Sequence, residues 1–381
     1  MSVKLLTMIG VALVAISCVE RARHEATGTV VAKSASAAQP IAMPDSVSSP
    51  PPPRGPQTKT SEIPVGRYVL LLSRRGDDTS NMVTLKFQLA ERENRQHVWD
   101  VATITDQNLA HRVLRADTTS IVISREGGDG QPDFFKLFLD PVLKKLVKKI
   151  DFSPYIGLDS IGDGQLAAAL SLTEAMAKEL KRRDPQPRYG EPSDALLPTV
   201  LRAHPMPRSS YAEFARARPE RVGDGYDSAD TGIEEKIGPF QVVGDRIWFG
   251  KTFYDGEGTT GVGGVGYFDT SRSGYTFLTI HEVVNWSVST LLVEDQSVWI
   301  GLVGHPEGPD YGGGLLRYDL KTATTDKYPI DEVVLRIKRW NDRVYLATSR
   351  GLSVLEGGRL SDRYVVEPDT DNKFYLVHLN R

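Results

Sequence analysis

Cysteine is all but missing from this chain. Of 381 residues only Cys18 carries a thiol, so everything beyond it lacks the means for a disulfide, a thiolate metal site or a cysteine nucleophile. An excess of charge of one sign is missing too. The 46 Lys and Arg stand against 49 Asp and Glu for a formal charge of -3, without the positive field that a phosphate backbone demands, and nucleic acid is not an expected partner. Aromatic residues make up 8% against 40% hydrophobic and 25% charged residues, the balance of an ordinary globular protein. No G-x-S-x-G, P-loop or H-E-x-x-H signature occurs, which removes the commonest single-motif routes to hydrolysis or nucleotide binding.

What is present begins at the amino terminus. Residues 5–17, LLTMIGVALVAIS, form a 13-residue apolar run behind Lys4. As a helix it would cover about 20 Å at about 1.5 Å per residue, short of a hydrocarbon core of about 30 Å. With small Ala15 and Ser17 just before Cys18, the layout is that of a signal peptide over residues 1–17. Ala15-Ile16-Ser17-Cys18 resembles the lipobox of bacterial lipoproteins, although that family usually has Leu where Ala15 stands. The resemblance implies export, cleavage before Cys18 and a lipid anchor on its sulfur, at the outer membrane if the host is Gram-negative because Val19 follows. Ordinary cleavage at the same triplet, giving a periplasmic or secreted protein, is the alternative. Residues 18–64 are rich in Ala, Ser, Thr and Pro, culminate in Pro50-Pro51-Pro52-Pro53, and read as a disordered linker.

Repeats organise residues 65–381. Arg246-Ile247-Trp248-Phe249-Gly250, Ser297-Val298-Trp299-Ile300-Gly301 and Arg343-Val344-Tyr345-Leu346-Ala347 align, with aromatic positions 51 and 46 residues apart. A second run follows each and ends in an acid, Asp269, Asp319 or Glu356, placed to cap a tight turn. A third run follows, and a further strand precedes each aromatic one, giving four strands per period, the pattern of a propeller blade. These stretches resemble the two-component-regulator and streptogramin-lyase groups of propeller repeats over about 150 residues. On the same template, Asn108 to Phe152 supplies another blade with Asp140 as its turn acid. Tyr68 to Ile104 supplies three strands of one more, and Lys373 to Leu379 the missing fourth. The expected fold is an all-β propeller of five four-stranded blades closed by the C-terminal strand, with residues 154–235 as a helical and loop insertion between blades two and three. A helix is expected over Gln165 to Arg183 with a capping box at Ser171 and Glu174, followed by proline-punctuated loop over 185–206 and a short helix near Ser210 to Glu213.

Two groups of residues are candidate sites. The long loops of one face carry Asp129, Tyr254, Asp255, Glu257, His305, Glu307, Asp310 and Tyr311, whose aromatic rings and carboxylates could stack on and hydrogen-bond a sugar or peptide. The innermost strands place His111, Glu294, Arg336 and His378 toward a central cavity. Paired carboxylates of general acid and base work are not visible there, and the catalytic residues are unknown. No metal or other cofactor is expected. Calcium alone has suitable oxygen donors, but neither the loop acids nor Asp224, Asp227, Asp230 and Glu234 have the dense D-x-D-x-D-G spacing. The leading expectation is a non-enzymatic, membrane-anchored module binding a protein or glycan partner at the cell envelope. An envelope hydrolase or lyase, using pairs such as His281 with Glu282 or His305 with Glu307, is the alternative.

Overall fold

The computed structural model describes residues 58–76, 82–107, 109–126, 132–153, 155–191, 197–208, 211, 232–256, 258–283, 286–305 and 312–379. The stretch read as a signal peptide, Cys18 and the stretch read as a linker as far as residue 57 lie outside the described residues, as do Asp129, Glu257, Glu307, Asp310 and Tyr311. Residues 54–381 belong to one compact unit.

Five antiparallel sheets run in chain order. Sheet one holds β1 (Thr58–Val65), β2 (Tyr68–Gly76), β3 (Met82–Glu91) and β4 (Val98–Gln107). Sheet two holds β5 (Ala110–Ala116), β6 (Ser120–Glu126), β7 (Pro132–Leu139) and β8 (Leu146–Phe152). Helices α1 (Asp163–Leu170), α2 (Glu174–Lys181) and α3 (Thr199–Ala203) follow. Sheet three holds β9 (Glu234–Val243), β10 (Arg246–Asp255), β11 (Gly258–Asp269) and β12 (Gly274–Leu278). Sheet four holds β13 (Ser287–Glu294), β14 (Ser297–Val303), β15 (Gly312–Asp319) and β16 (Thr325–Tyr328). Sheet five holds β17 (Val334–Trp340), β18 (Arg343–Thr348), β19 (Gly351–Glu356), β20 (Arg359–Pro368) and β21 (Phe374–His378). Every sheet is an up-and-down meander, the connectivity of a propeller blade.

The period of two along each strand decides how sheets stack. In sheet four, Val298, Ile300 and Leu316 pack toward sheet three, while Trp299 and Leu315 pack toward sheet five. In sheet five, Val344 and Leu346 face sheet four, and Tyr345, Ala347, Leu352 and Val354 face α1 and α2 through Leu166, Leu170, Ala177 and Leu180. At the far end Ile247, Phe249 and Phe268 of sheet three face Leu201 of α3. The insertion therefore covers both flanks of a three-blade arc. Sheets one and two form their own pair, closed by Leu70, Leu85 and Phe87 against Ile121, Ile123, Phe135 and Leu137.

The repeated Gly of the aromatic motif has a packing cause. A Cβ on Gly250 would lie 2.6 Å from Val288 Cβ of the following blade, and one on Gly301 would lie 2.9 Å from the Val334 carbonyl of the next. The third repeat has buried Ala347 there, packed in the cluster that α1 and α2 cover. The turn acids also act as expected from their spacing. Oδ1 of Asp140 accepts from the Val142 and Leu143 N–H, that of Asp269 from Ser271 and Arg272, and that of Asp319 from Lys321 and Thr322. Glu356 departs from the pattern and pairs with Arg343 at 3.2 Å.

Several expectations are corrected. β1 lies within the segment read as linker and supplies sheet one's own first strand, so the sheet needs no strand from the C-terminus. β21 pairs with β20 as a fifth strand of sheet five, not with sheet one. Side-chain contacts order the sheets one, two, five, four, three, and among the described residues no strand pairing closes a ring. The single helix expected over Gln165 to Arg183 is split, because Ser171 adopts φ 54° as the C-cap of α1. Thr173, not Ser171, caps α2, accepting from Met176 N at 3.2 Å. The stretch read as proline-punctuated loop contains α3.

Fully buried Leu180 should behave as core even though it lies in an insertion. Leu180→Ala is expected to cost about 2–5 kcal/mol and Gly301→Ala about 1–3 kcal/mol in urea denaturation, whereas a dispensable surface insertion would leave Leu180→Ala within about 0.5 kcal/mol of the parent.

Candidate functional site

The first strands of sheets three, four and five converge. With the segment that follows α2 they enclose a cavity of about 380 Å³ bordered by Gln241 of β9, Leu291 of β13, Arg336 and Lys338 of β17, and Arg182 and Asp184. Arg336 borders this cavity. Its guanidinium pairs with Asp184 and, at 2.5 Å, with Glu179 of α2, while Lys338 reaches Glu179 at 2.7 Å. Asp184 also accepts from Thr290 Oγ1 at 2.7 Å, and Gln186 donates to the Ser289 carbonyl. These bonds tie the segment across β13 and β17 and hold the cationic groups in fixed positions. The Lys338 hydrogen bond keeps the Glu179 carboxyl below its ordinary value; burial opposes it, and Arg336 adds to the lowering.

The other three candidates are not in this cavity. Glu294 ends β13 and joins blades four and five, accepting from Trp299 Nε1 at 2.8 Å and pairing with Arg339. Burial pushes its carboxyl up, but Arg339 and Trp299 outweigh that and leave it low. His378 lies on β21, the outermost strand of sheet five, 3.1 Å from Asp362 and against the Tyr364 ring. His111 lies between sheets one and two, its side chain 1% exposed, with Nε2 3.4 Å from Asp106. Periodicity placed all three on first or last strands, but it could not say which strands would border a common space.

Of the loop-face candidates, the described residues are Tyr254, Asp255 and His305. They come together as a buried hairpin end, not as an exposed stacking surface. Tyr254 is 6% exposed, and burial pushes its phenol up to about 12. Asp255 accepts from Gly258 N at 2.9 Å, and its Oδ2 stands 3.5 Å from His305 Nε2. Among the described residues no group of three or more His, Cys, Asp or Glu has metal-holding geometry.

A second cluster had no signal in the sequence. Glu367 of β20, 5% exposed at its side chain, receives Arg115 of β5 at 2.6 Å and Lys136 of β7 at 2.9 Å. Lys136 also donates to the Pro368 carbonyl at 3.1 Å. These bonds fasten the second face of sheet two to sheet five. Arg115 and Glu367 are 252 residues apart, a separation that no local pattern can bridge.

No family model matches the chain, and no curated protein matches it. Solved structures do align with it. The extracellular domain of BT4673 from B. thetaiotaomicron shares 10% identity over 83% of this chain and 36% of its own, with a TM-score of 0.24. The Dos1 propeller shares 9% identity over 76% of this chain and 53% of its own, with a TM-score of 0.23. The β-propeller domain of the trilobed protease from Pyrococcus furiosus shares 9% identity over 81% of this chain and 92% of its own, with a TM-score of 0.21. The chain thus spans about a third and about half of the length of the first two. Superpositions this loose carry no argument, and the blade assignment rests on the strand registers.

Burial pushes the His111 imidazole below its ordinary value of 6.5, and Asp106 only partly offsets this. The contact with Asp106 is therefore a hydrogen bond to a neutral ring at neutral pH. An imidazole that binds its proton less readily when folded contributes stability above the unfolded pKa and loses it as pH falls. Unfolding free energy is expected to decline as pH drops below about 6.5, with a shallower decline in His111→Gln, as measured by urea titrations across pH 5 to 8.

Proposed function

We propose that the chain is an exported, lipid-anchored binding module of propeller type, which takes a hydroxyl- and carboxylate-bearing segment of a protein or glycan partner into the cavity between β9, β13 and β17. The observation that carries this reading is the cavity itself. Its 380 Å³ falls in the range of about 300–1,000 Å³ usual for ligand pockets. Its wall sets Gln241 beside Arg336 and Lys338, whose positions are held by Glu179 and Asp184. Cations fixed before the ligand arrives lose little freedom on binding it. The alternative, an envelope hydrolase or lyase, calls for a carboxyl raised toward neutral pH to act as a general acid. Lys338 holds Glu179 the other way, which favours binding over hydrolysis.

Presented with panels of acidic and neutral glycans and of envelope peptides, the protein is expected to bind acidic members. Arg336→Gln and Lys338→Gln should each weaken that binding about tenfold without altering circular dichroism. Binding that ignores both substitutions overturns the reading, and turnover of a bound member replaces it with the enzymatic one.

Membrane attachment rests on the lipobox-like Ala15 to Cys18 and on one structural feature. The turn between β7 and β8 holds Val142 and Leu143 82% and 64% exposed, with exposed Lys145 beside them. Asp140 orders the turn through two N–H bonds of 2.7 Å. A rigid apolar tip next to a lysine suits an anionic lipid interface. Cys18→Ser is expected to release the protein from washed membranes. Its residual binding to anionic vesicles should disappear when Val142→Asp and Leu143→Asp are added. Full retention of Cys18→Ser in the membrane fraction would rule out the lipid anchor.

A further inference from the structure

A smaller cavity of about 170 Å³ lies where sheet two meets sheet five. Its wall combines apolar Leu114 of β5, Val122 of β6 and Phe134 of β7 with three arginines, Arg115, Arg350 and Arg363, and one carboxylate, Glu367. Two of the three are committed. Arg115 pairs with Glu367 at 2.6 Å and Asp117 at 2.5 Å, and Arg363 pairs with Glu332. Arg350, in the turn between β18 and β19, is different. Among the described residues no acceptor hydrogen-bonds its guanidinium, which lies 4.9 Å from the centre of the Phe134 ring.

Arg350 is half-buried, and a cation stripped of part of its water without an acceptor in its place is costly. Burial lowers the Arg350 pKa, and the charges of Glu332, Glu367 and Asp331, opposed by that of Arg363, offset this only in part. The missing partner has a defined chemistry. Arg350 is the one arginine of the three without a paired carboxylate, so a single negative charge suits it, and a second would meet Glu367, Glu332 and Asp331. The planar guanidinium fork matches a carboxylate. Apart from Glu367, which Arg115 and Lys136 hold, the remaining wall is hydrocarbon, and the volume equals about five or six waters at about 30 Å³ each, room for a carboxyl group and a few carbons.

We propose that this cavity is a ligand site separate from the central one, taking a monoanionic carboxylate with a short apolar body. The carboxylate pairs with Arg350, and the hydrocarbon lies on Phe134, Val122 and Leu114. A free short-chain acid and the C-terminal residue of a peptide both carry this chemistry.

Calorimetric titration of the full chain distinguishes them. The probes are butanoate, hexanoate, hexanamide, and a Gly-Leu dipeptide with a free or amidated C-terminus. Saturable binding of at least one acid, with its amide weaker by about tenfold or more, is expected. Response to the free acids alone assigns the site to small metabolites, and response to the dipeptide acid alone assigns it to peptide termini. Arg350→Gln should lose the binding about tenfold or more and melt at or above the parent temperature, because it removes an uncompensated charge. The proposal fails if no acid binds the parent protein, if acid and amide bind alike, or if Arg350→Gln keeps the parent affinity. It also fails if Arg350→Gln melts more than about 5 °C lower, since Arg350 would then be a structural residue.

Discussion

A sheet that carries apolar side chains on both faces must be covered on both. In sheets three, four and five the strands alternate between two apolar sets, and each set has its own partner. At about 25 cal/mol per Å² of apolar surface buried, an uncovered blade face would forfeit several kcal/mol. A closed ring of blades meets this demand by symmetry. This chain meets it with helices. Leu166, Leu170 and Leu180 cover the outer face of sheet five, and Leu201 covers that of sheet three. Sheet one ends the series differently. The face of β3 opposite its core carries Thr84, Lys86 and Gln88, with Lys86 pairing with Asp100 at 3.0 Å, and it stays partly exposed.

The central cavity follows from the same cover. The segment beyond α2 must travel from sheet five toward sheet three, and it does so across the first strands, leaving Asp184 on Arg336 and Gln186 on the Ser289 carbonyl. Farther along, Lys236 of β9 donates to the Arg188 and Glu191 carbonyls. The path that covers the blades also closes one side of the cavity.

The interface of sheets two and five is held by charge where the others are held by hydrocarbon. Lys136, Arg115 and Glu367 satisfy one another in a largely buried triad. Removing one member of such a triad strands the others, whereas an apolar replacement of the whole set can be neutral. This asymmetry suits a joint that must meet in one register and leave a small cavity beside it.

The aromatic motif, its Gly and its turn acids made the blades legible, because each depends on neighbours within one hairpin or on the next blade at a fixed repeat. Gly250 and Gly301 record the close approach of the next blade. β1 was hidden because its residues, TKTSEIPV, continue the polar and proline-bearing composition before them, and only pairing with β2 makes them a strand. Arg336 was legible as a cavity residue because its strand is a first strand. His111, Glu294 and His378 had similar signals but different surroundings. The sequence by itself determined the strands, their grouping into blades and the turns that cap them, since these are interactions of short range. Only the tertiary structure decided the order of the sheets, the helical covers and the pairing of Arg115 with Glu367 or the isolation of Arg350, because each depends on contacts across long stretches of chain that no local pattern encodes.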